Sequence, residues 1–250
     1  MKKLLRFIKN NYFLLIFVFI IFFVVFVSFY KLFLTKSTYI YAKVKLGQGL
    51  WWASTSQPPL WLISSIMKDK KESQIIAQII KVNYYPYFIT GINNQFIDQF
   101  DVYLSLKLKV TKNNKSFYFN RSIITVGTPI DLEFANTQVS GTVISLSDKL
   151  LVDKYINKIV FLTKKDPFLW EYEAIKIGDY YFDGENKVFE IAGKEISENE
   201  DILTVKAKIK VKEINNQLIF ANEKFFNLGK NINIITNNFN FNNYVISKID

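Results

Sequence analysis

The chain contains no cysteine and no histidine in 250 residues. Those absences remove thiolate nucleophiles, Ser-His-Asp triads, Cys/His zinc sites, haem ligation through His and structural disulfides. The absence of Cys leaves the redox compartment open, because an extracytoplasmic protein need not use disulfides. The formal charge of +10 suggests nucleic-acid binding until it is located. Six of the 32 basic residues (Lys2, Lys3, Arg6, Lys9, Lys31 and Lys36) fall in residues 1–36, where there is no acid, leaving 26 basic against 22 acidic residues. A nucleic-acid-binding domain concentrates its excess charge on one folded face. Here the excess sits beside an apolar run, so no nucleic-acid partner is expected.

From Tyr12 to Tyr30 the sequence has no charge, no Gly and no Pro, and Leu32–Leu34 extend the run past Lys31. About 20 apolar residues are needed to cross a bilayer as a helix. Residues 12–34 are therefore expected to span the lipid bilayer. Val27-Ser28-Phe29-Tyr30 lacks the small residues of a cleavage site, which makes the segment a signal anchor rather than a signal peptide. The basic tail over residues 1–11 is assigned to the cytoplasm and the long C-terminal region to the outside, because long domains translocate largely regardless of charge.

Past the anchor, apolar and polar residues alternate. Leu104, Leu106, Leu108 and Val110 interleave with Ser105, Lys107 and Lys109, and Val205, Ala207, Ile209 and Val211 with Lys206, Lys208 and Lys210. Alternation places one face of a strand in a core and the other in water. The two runs also align beyond their alternation. Lys107–Val110 matches Lys208–Val211, Asn113-Asn114 matches Asn215-Asn216, and Val143-Ile144-Ser145 matches Val245-Ile246-Ser247, with one inserted residue placed before the Asn pair. A tandem duplication is the economical explanation. The expected fold is all-β: one N-terminal transmembrane helix, then two duplicated small β-barrel or sandwich units over residues 37–149 and 150–250. Ile75–Val82 is an apolar run whose periodicity decides nothing.

Gly127-Thr128-Pro129-Ile130-Asp131-Leu132, followed by Val139–Ile144, resembles the glycine-started hairpin of an uncharacterised bacterial family of membrane-anchored β proteins. Ile177-Gly178-Asp179 with Val188–Ile191 resembles it again. That resemblance implies a single-pass β protein and carries over no catalytic residue. Asn243 stands where the first copy has Gly141.

Candidate chemistry is sparse. Ser65-Ile66-Met67-Lys68 matches the S-x-x-K of penicillin-binding enzymes, but no K-T-G or S-D-N accompanies it. Asp179, Asp183, Glu185 and Asn186 could offer oxygens to Ca2+, yet their spacing is not that of an EF-hand, and Asp183-Gly184 reads as turn chemistry. Glu198, Glu200 and Asp201 read as a solvated linker. No catalytic residue, metal or cofactor is expected. Trp61 has a counterpart in Trp170, which assigns both to core packing. Trp51 and Trp52 have none, and neighbours on a strand face opposite ways, so at least one is expected at a partner surface or the membrane interface.

Together these readings describe a non-enzymatic bacterial envelope protein, held in the cell membrane, whose extracytoplasmic β modules bind a partner protein or a cell-wall component. Two alternatives differ in class. One is a structural subunit of a transport or secretion assembly, although the coiled-coil hairpin typical of periplasmic adaptors is missing. The other is a wall enzyme working through paired carboxylates.

Overall fold

The structure, a computed structural model, describes residues 11–34, 37–47, 57–72, 76–87, 99–113 and 116–250, with the side chains of residues 14, 15 and 29–34 left out. Helix α1 covers Tyr12–Leu34. Every residue from Ile16 to Val27 is exposed, and because they are consecutive they bare all faces of the helix. Among the described residues, no helix is long and apolar enough to cross a membrane. The stretch with described side chains, Ile16–Ser28, is shorter than the ~20 residues a span requires. The expectation of a span over residues 12–34 thus rests on the sequence.

Packing divides the chain into two units, one of residues 1–39 with 109–124, the other of 40–108 with 125–250. Besides α1, the smaller unit holds a meander: the end of β3 (Gln99–Asn113) pairs with β4 (Ser116–Phe119), and β4 with β5 (Ser122–Ile124). Asn120 and Arg121 close the β4–β5 turn with positive φ.

The strands form two barrel-like sheets with the same topology. The first runs β5-β4-β3-β1-β7-β6, with β2 added on β3; the second runs β13-β12-β11-β8-β15-β14, with β10 added on β11 and β9 on β10. Here β1 is Ser37–Leu46, β2 Ala77–Tyr87, β6 Pro129–Glu133 and β7 Gln138–Ser147. Their counterparts are β8 (Ile156–Lys165), β10 (Lys187–Ile196), β14 (Asn231–Ile235) and β15 (Asn240–Ile249), while β11 (Ile202–Ile214), β12 (Gln217–Phe220) and β13 (Lys224–Phe225) match β3, β4 and β5. Helix α2 (Leu60–Asp69) lies between β1 and β2, and α3 (Leu169–Ala174) between β8 and β10. Among the described residues, β9 (Tyr180–Phe182) has no counterpart in the first copy.

Bulges repeat too. The β2–β3 register shifts between Ile79 and Lys81, opposite Leu106 and Ser105; that of β10–β11 shifts between Ile191 and Gly193, opposite Ala207 and Lys206. A bulge inserts one unpaired residue and sharpens the local twist, so its recurrence at one place marks common descent of the two sheets. The run Ile75–Val82 resolves as strand from Ala77 onward.

Two details of the sequence alignment change. Asn113 pairs with Ser116 as Ile214 pairs with Gln217, so Asn113 belongs to the ladder and no insertion precedes the Asn pair. The extra residue lies in the next turn, where Phe119 pairs with Ser122 but Phe220 pairs with Lys224. The identical Val-Ile-Ser triplets are one residue out of step in space. In β15 two residues, Asn242 and Asn243, separate Phe241 from Tyr244, and Asn243 takes the left-handed conformation of a bulge. Tyr244 therefore occupies the place of Gly141, since Ile130 pairs with Gly141 and Ile232 with Tyr244.

Gly141 is needed where it stands, because a Cβ there would meet the Lys45 carbonyl at 2.5 Å and Val44 Cγ1 at 2.6 Å. Gly141→Ala is expected to lower stability by about 1–3 kcal/mol in chemical denaturation, the usual cost of overpacking. Gly193→Ala is expected to be near neutral, its Cβ meeting nothing closer than 3.9 Å.

Candidate functional site

Within the larger unit two tyrosines of the first copy join the core of the second. Tyr85 and Tyr103 of the first copy pack with Tyr181, Phe220 and the apolar interior of the second. Burial, followed by the nearby Asp183 charge, pushes the Tyr85 hydroxyl far above its ordinary range, and it serves as a neutral donor.

Asp183 organises this joint. It is fully buried. One carboxylate oxygen accepts from the amides of Glu185 (2.9 Å) and Asn186 (2.8 Å), closing the β9–β10 turn as Asp-Gly chemistry predicts. The other oxygen accepts from Asn83 Nδ2 (2.9 Å) and from the Tyr85 hydroxyl (2.7 Å), both on β2 of the other copy. The turn also lies along the backbone of β2. The Tyr84 amide donates to the Asp183 carbonyl at 2.9 Å, the Val82 amide to Glu185 Oε1 at 3.1 Å, and Lys70 pairs with Glu185. Gly184 permits the approach: its φ is +100°, and a Cβ would meet the Val82 carbonyl at 2.5 Å.

A second joint forms where the β12–β13 turn meets β1. Asn222 Oδ1 accepts from Lys43 Nζ (2.8 Å) and Lys212 Nζ (2.6 Å), and the Asp153 carboxylate pairs with the same two ammoniums at 2.9 and 2.7 Å. Burial opposes the Asp153 charge, but the hydrogen bonds and charges of the two lysines outweigh it and hold the carboxyl below its ordinary value. Burial, aided by the neighbouring Lys43, draws the Lys212 ammonium down to about 8 against the pull of Asp153. Glu223, the one-residue insertion, pairs with Lys45 at 2.6 Å, and the buried Asp101 lies 3.5 Å from Lys45 and 3.8 Å from Lys224.

The turns of both copies are tied by equivalent acids. Asp69, the last residue of α2, accepts from the Asn136 amide at 2.9 Å and from Thr137 Oγ1 at 2.5 Å in the β6–β7 turn. Asp179 accepts from the Asn238 amide at 3.0 Å in the β14–β15 turn. Asp179 and Asp183 thus serve different turns.

Among the described residues, several apolar side chains are exposed at matching places in both copies, Val126 with Leu228 and Ile123 with Phe225 among them, and one such feature carries a Trp in each. In each copy a Pro precedes a helix whose first turn is aromatic and bare. Trp61 is 69% exposed beside Leu60, and Trp170 is 57% exposed beside Phe168 and Leu169. The expectation that Trp61 and Trp170 are core is corrected. In α2 the inward positions are Ile63, Ile66 and Asp69, spaced by three residues, and Trp61 lies off that face. The Phe168 and Trp170 rings stack with centroids 6.2 Å apart at 13°. Behind them Glu171 accepts from the Phe168 amide at 3.2 Å and pairs with Lys164 at 2.5 Å, holding the turn rigid. Trp51 and Trp52 lie outside the described residues.

The remaining candidates are accounted for by local bonding. Ser65 Oγ donates to the Trp61 carbonyl at 3.2 Å inside α2, so its hydroxyl is engaged with the helix backbone. Glu198, Glu200 and Asp201 are exposed in the β10–β11 turn, as a solvated connection. On the outer face of the second sheet, Lys187, Lys208, Lys210, Asn157 and Glu190 line an open groove of about 300 Å³.

No family model matches the chain, and no curated protein or solved structure matches it. The resemblance of the glycine-started hairpins therefore carries no family assignment.

Asp183→Asn preserves shape but turns one acceptor into a donor facing Asn83 Nδ2 and the Tyr85 hydroxyl. A loss of about 2–4 kcal/mol is expected in equilibrium unfolding, well above the ~1.5 kcal/mol of a single lost hydrogen bond.

Proposed function

We propose that the chain is a non-enzymatic, membrane-anchored envelope protein, and that its two β modules, residues 37–149 and 150–250, hold a pair of aromatic turns out to a partner protein or wall component. The observation that carries this reading is the equivalent exposure of Trp61 and Trp170. A lone exposed apolar residue is ordinary, but a bare Trp with apolar neighbours at the same place in both copies is a costly surface to keep without a use. Trp is also the residue most enriched among the anchors that dominate binding energy. The rigid seat of Phe168 and Trp170 lowers the ordering cost on association.

The reading as a binding module is supported by how reactive groups are used. Of the buried acids, Asp69, Asp179 and Asp183 are committed to turns, Glu171 pairs with Lys164, and Asp101 lies beside Lys45 and Lys224. The anchor is supported by the uncharged run Tyr12–Tyr30 in the sequence and by the exposure of every side chain from Ile16 to Val27. A helix that is hydrophobic all round belongs in a core or a bilayer. The basic tail of residues 1–11 favours a cytoplasmic N-terminus, leaving the β modules outside.

Protease added to intact spheroplasts is expected to digest the β modules and spare the N-terminal tail; full protection of the modules would reverse the orientation. For the docking turns, a Trp61→Ala, Trp170→Ala double variant is expected to weaken retention on isolated wall sacculi, or cross-linking to a membrane partner, at least 30-fold, which corresponds to about 2 kcal/mol for a hot spot. Its unfolding midpoint should stay within about 0.5 kcal/mol of the parent. Unchanged binding with an unchanged midpoint would sink the reading.

A further inference from the structure

Lys43 and Lys212 together carry two positive charges, and the carboxylate they share, Asp153, carries one negative charge. The cluster lies at the joint between the copies, with Lys43 and Lys212 side chains 8% and 11% exposed and Asp153 25% exposed. Each ammonium offers three N–H donors and spends two, on Asp153 and on Asn222 Oδ1. Asn222 Nδ2 is buried and has no partner. Lys212 also lies over the Tyr155 ring, 5.2 Å from its centroid, so among the described residues one N–H of Lys43 and the Asn222 Nδ2 group stay unmatched, alongside one unbalanced positive charge. Buried donors left unmatched are expensive, and buried charge more so.

The turn that carries Asn222 is a left-handed pair, as in the first copy, but here its first residue is a buried alanine. Ala221 and Asn222 both have positive φ, +52° and +69°, and Ala221 is buried. An alanine in the left-handed region persists only where its surroundings hold it there, and such residues gather at binding sites. The equivalent turn of the first copy uses Asn120 and Arg121, both exposed, and lacks the added Glu223. The groups facing the cluster are Lys43 on β1, Asp153 and Tyr155 ahead of β8, Lys212 on β11, and Asn222 on the turn; Glu223 is committed to Lys45, and Asp101 faces Lys45 and Lys224. None supplies the missing negative charge.

We propose that the Lys43–Lys212–Asn222 cluster binds a small inorganic anion of the chloride class, which completes the joint between the two copies. Such an ion would balance the charge of the two ammoniums and accept from the partnerless amide nitrogen beside them. The lowered Lys212 value fits the same geometry, because without the anion the cluster relieves its excess charge by releasing a proton near pH 8. Between that pH and the ~10.4 of an unfolded lysine the unfolded chain binds more protons, so the anion-free protein gains stability as pH rises through this window.

The test is thermal unfolding of the full chain in detergent, with sodium chloride compared against sodium gluconate at equal ionic strength. At pH 7, chloride at ten times its Kd is expected to raise Tm by about 4 °C over gluconate. At pH 9, where Lys212 is largely neutral, most of that difference should vanish. Asn222→Asp supplies the charge internally, and Lys212→Met removes the excess while keeping the stem; each should abolish the chloride-specific rise. Chloride-35 NMR line broadening on the parent protein gives a second readout that does not depend on a variant folding. Equal Tm in both salts with no line broadening, or a chloride-specific rise that survives in both variants, would overturn the proposal.

Discussion

The Asp183 carboxylate keeps its charge out of water because four donors face it, two from its own turn and two from a strand about a hundred residues earlier. Removing any donor leaves a buried charge short of partners, a far larger penalty than one lost hydrogen bond between exposed groups. That asymmetry makes the joint selective. The β9–β10 turn fits β2 only if Asn83 and Tyr85 arrive together and Gly184 keeps the backbone close. Around this point Tyr85 joins the aromatic core of the second copy, so polar pairing and apolar packing fix the same geometry.

Duplication explains the parts and asymmetry explains the whole. Strand order, the β2–β3 and β10–β11 bulges, the α2 and α3 insertions and the acid-tied turns recur in both copies. What does not recur among the described residues is what joins them: β9 with its Asp183 turn, and the inserted Glu223 that pairs with Lys45. Each copy keeps the inherited fold, and the second has gained the groups that grip the first.

The strands were legible because period-two alternation is local: Leu104 to Val110 and Val205 to Val211 announce their inward faces without help from distant residues. The duplication was legible for the same reason, although identical letters misled at the Val-Ile-Ser triplet, where a one-residue bulge slips the register. Helix α2 was not legible, being short, uncapped by a side chain and apolar at only two buried positions. The repetition of Trp61 and Trp170 points to the interior, but duplication preserves a surface as faithfully as a core. Asp183 read correctly as a turn residue, and half of its role escaped. Its partners Asn83 and Tyr85 lie 100 and 98 positions away, and no local pattern records them.

Strand β2 pairs with β3 on one side, and on the other the β9–β10 turn lies against it. On the ribosome the first copy is complete while the residues that cover that side are still untranslated. At ~5–20 residues per second the wait is roughly 2–7 s, during which β2 offers open amides and carbonyls to any neighbouring nascent chain. Tandem order thus creates a vulnerable interval that ends only when Asp183 emerges, and the same segment that joins the copies shields the first from its neighbours.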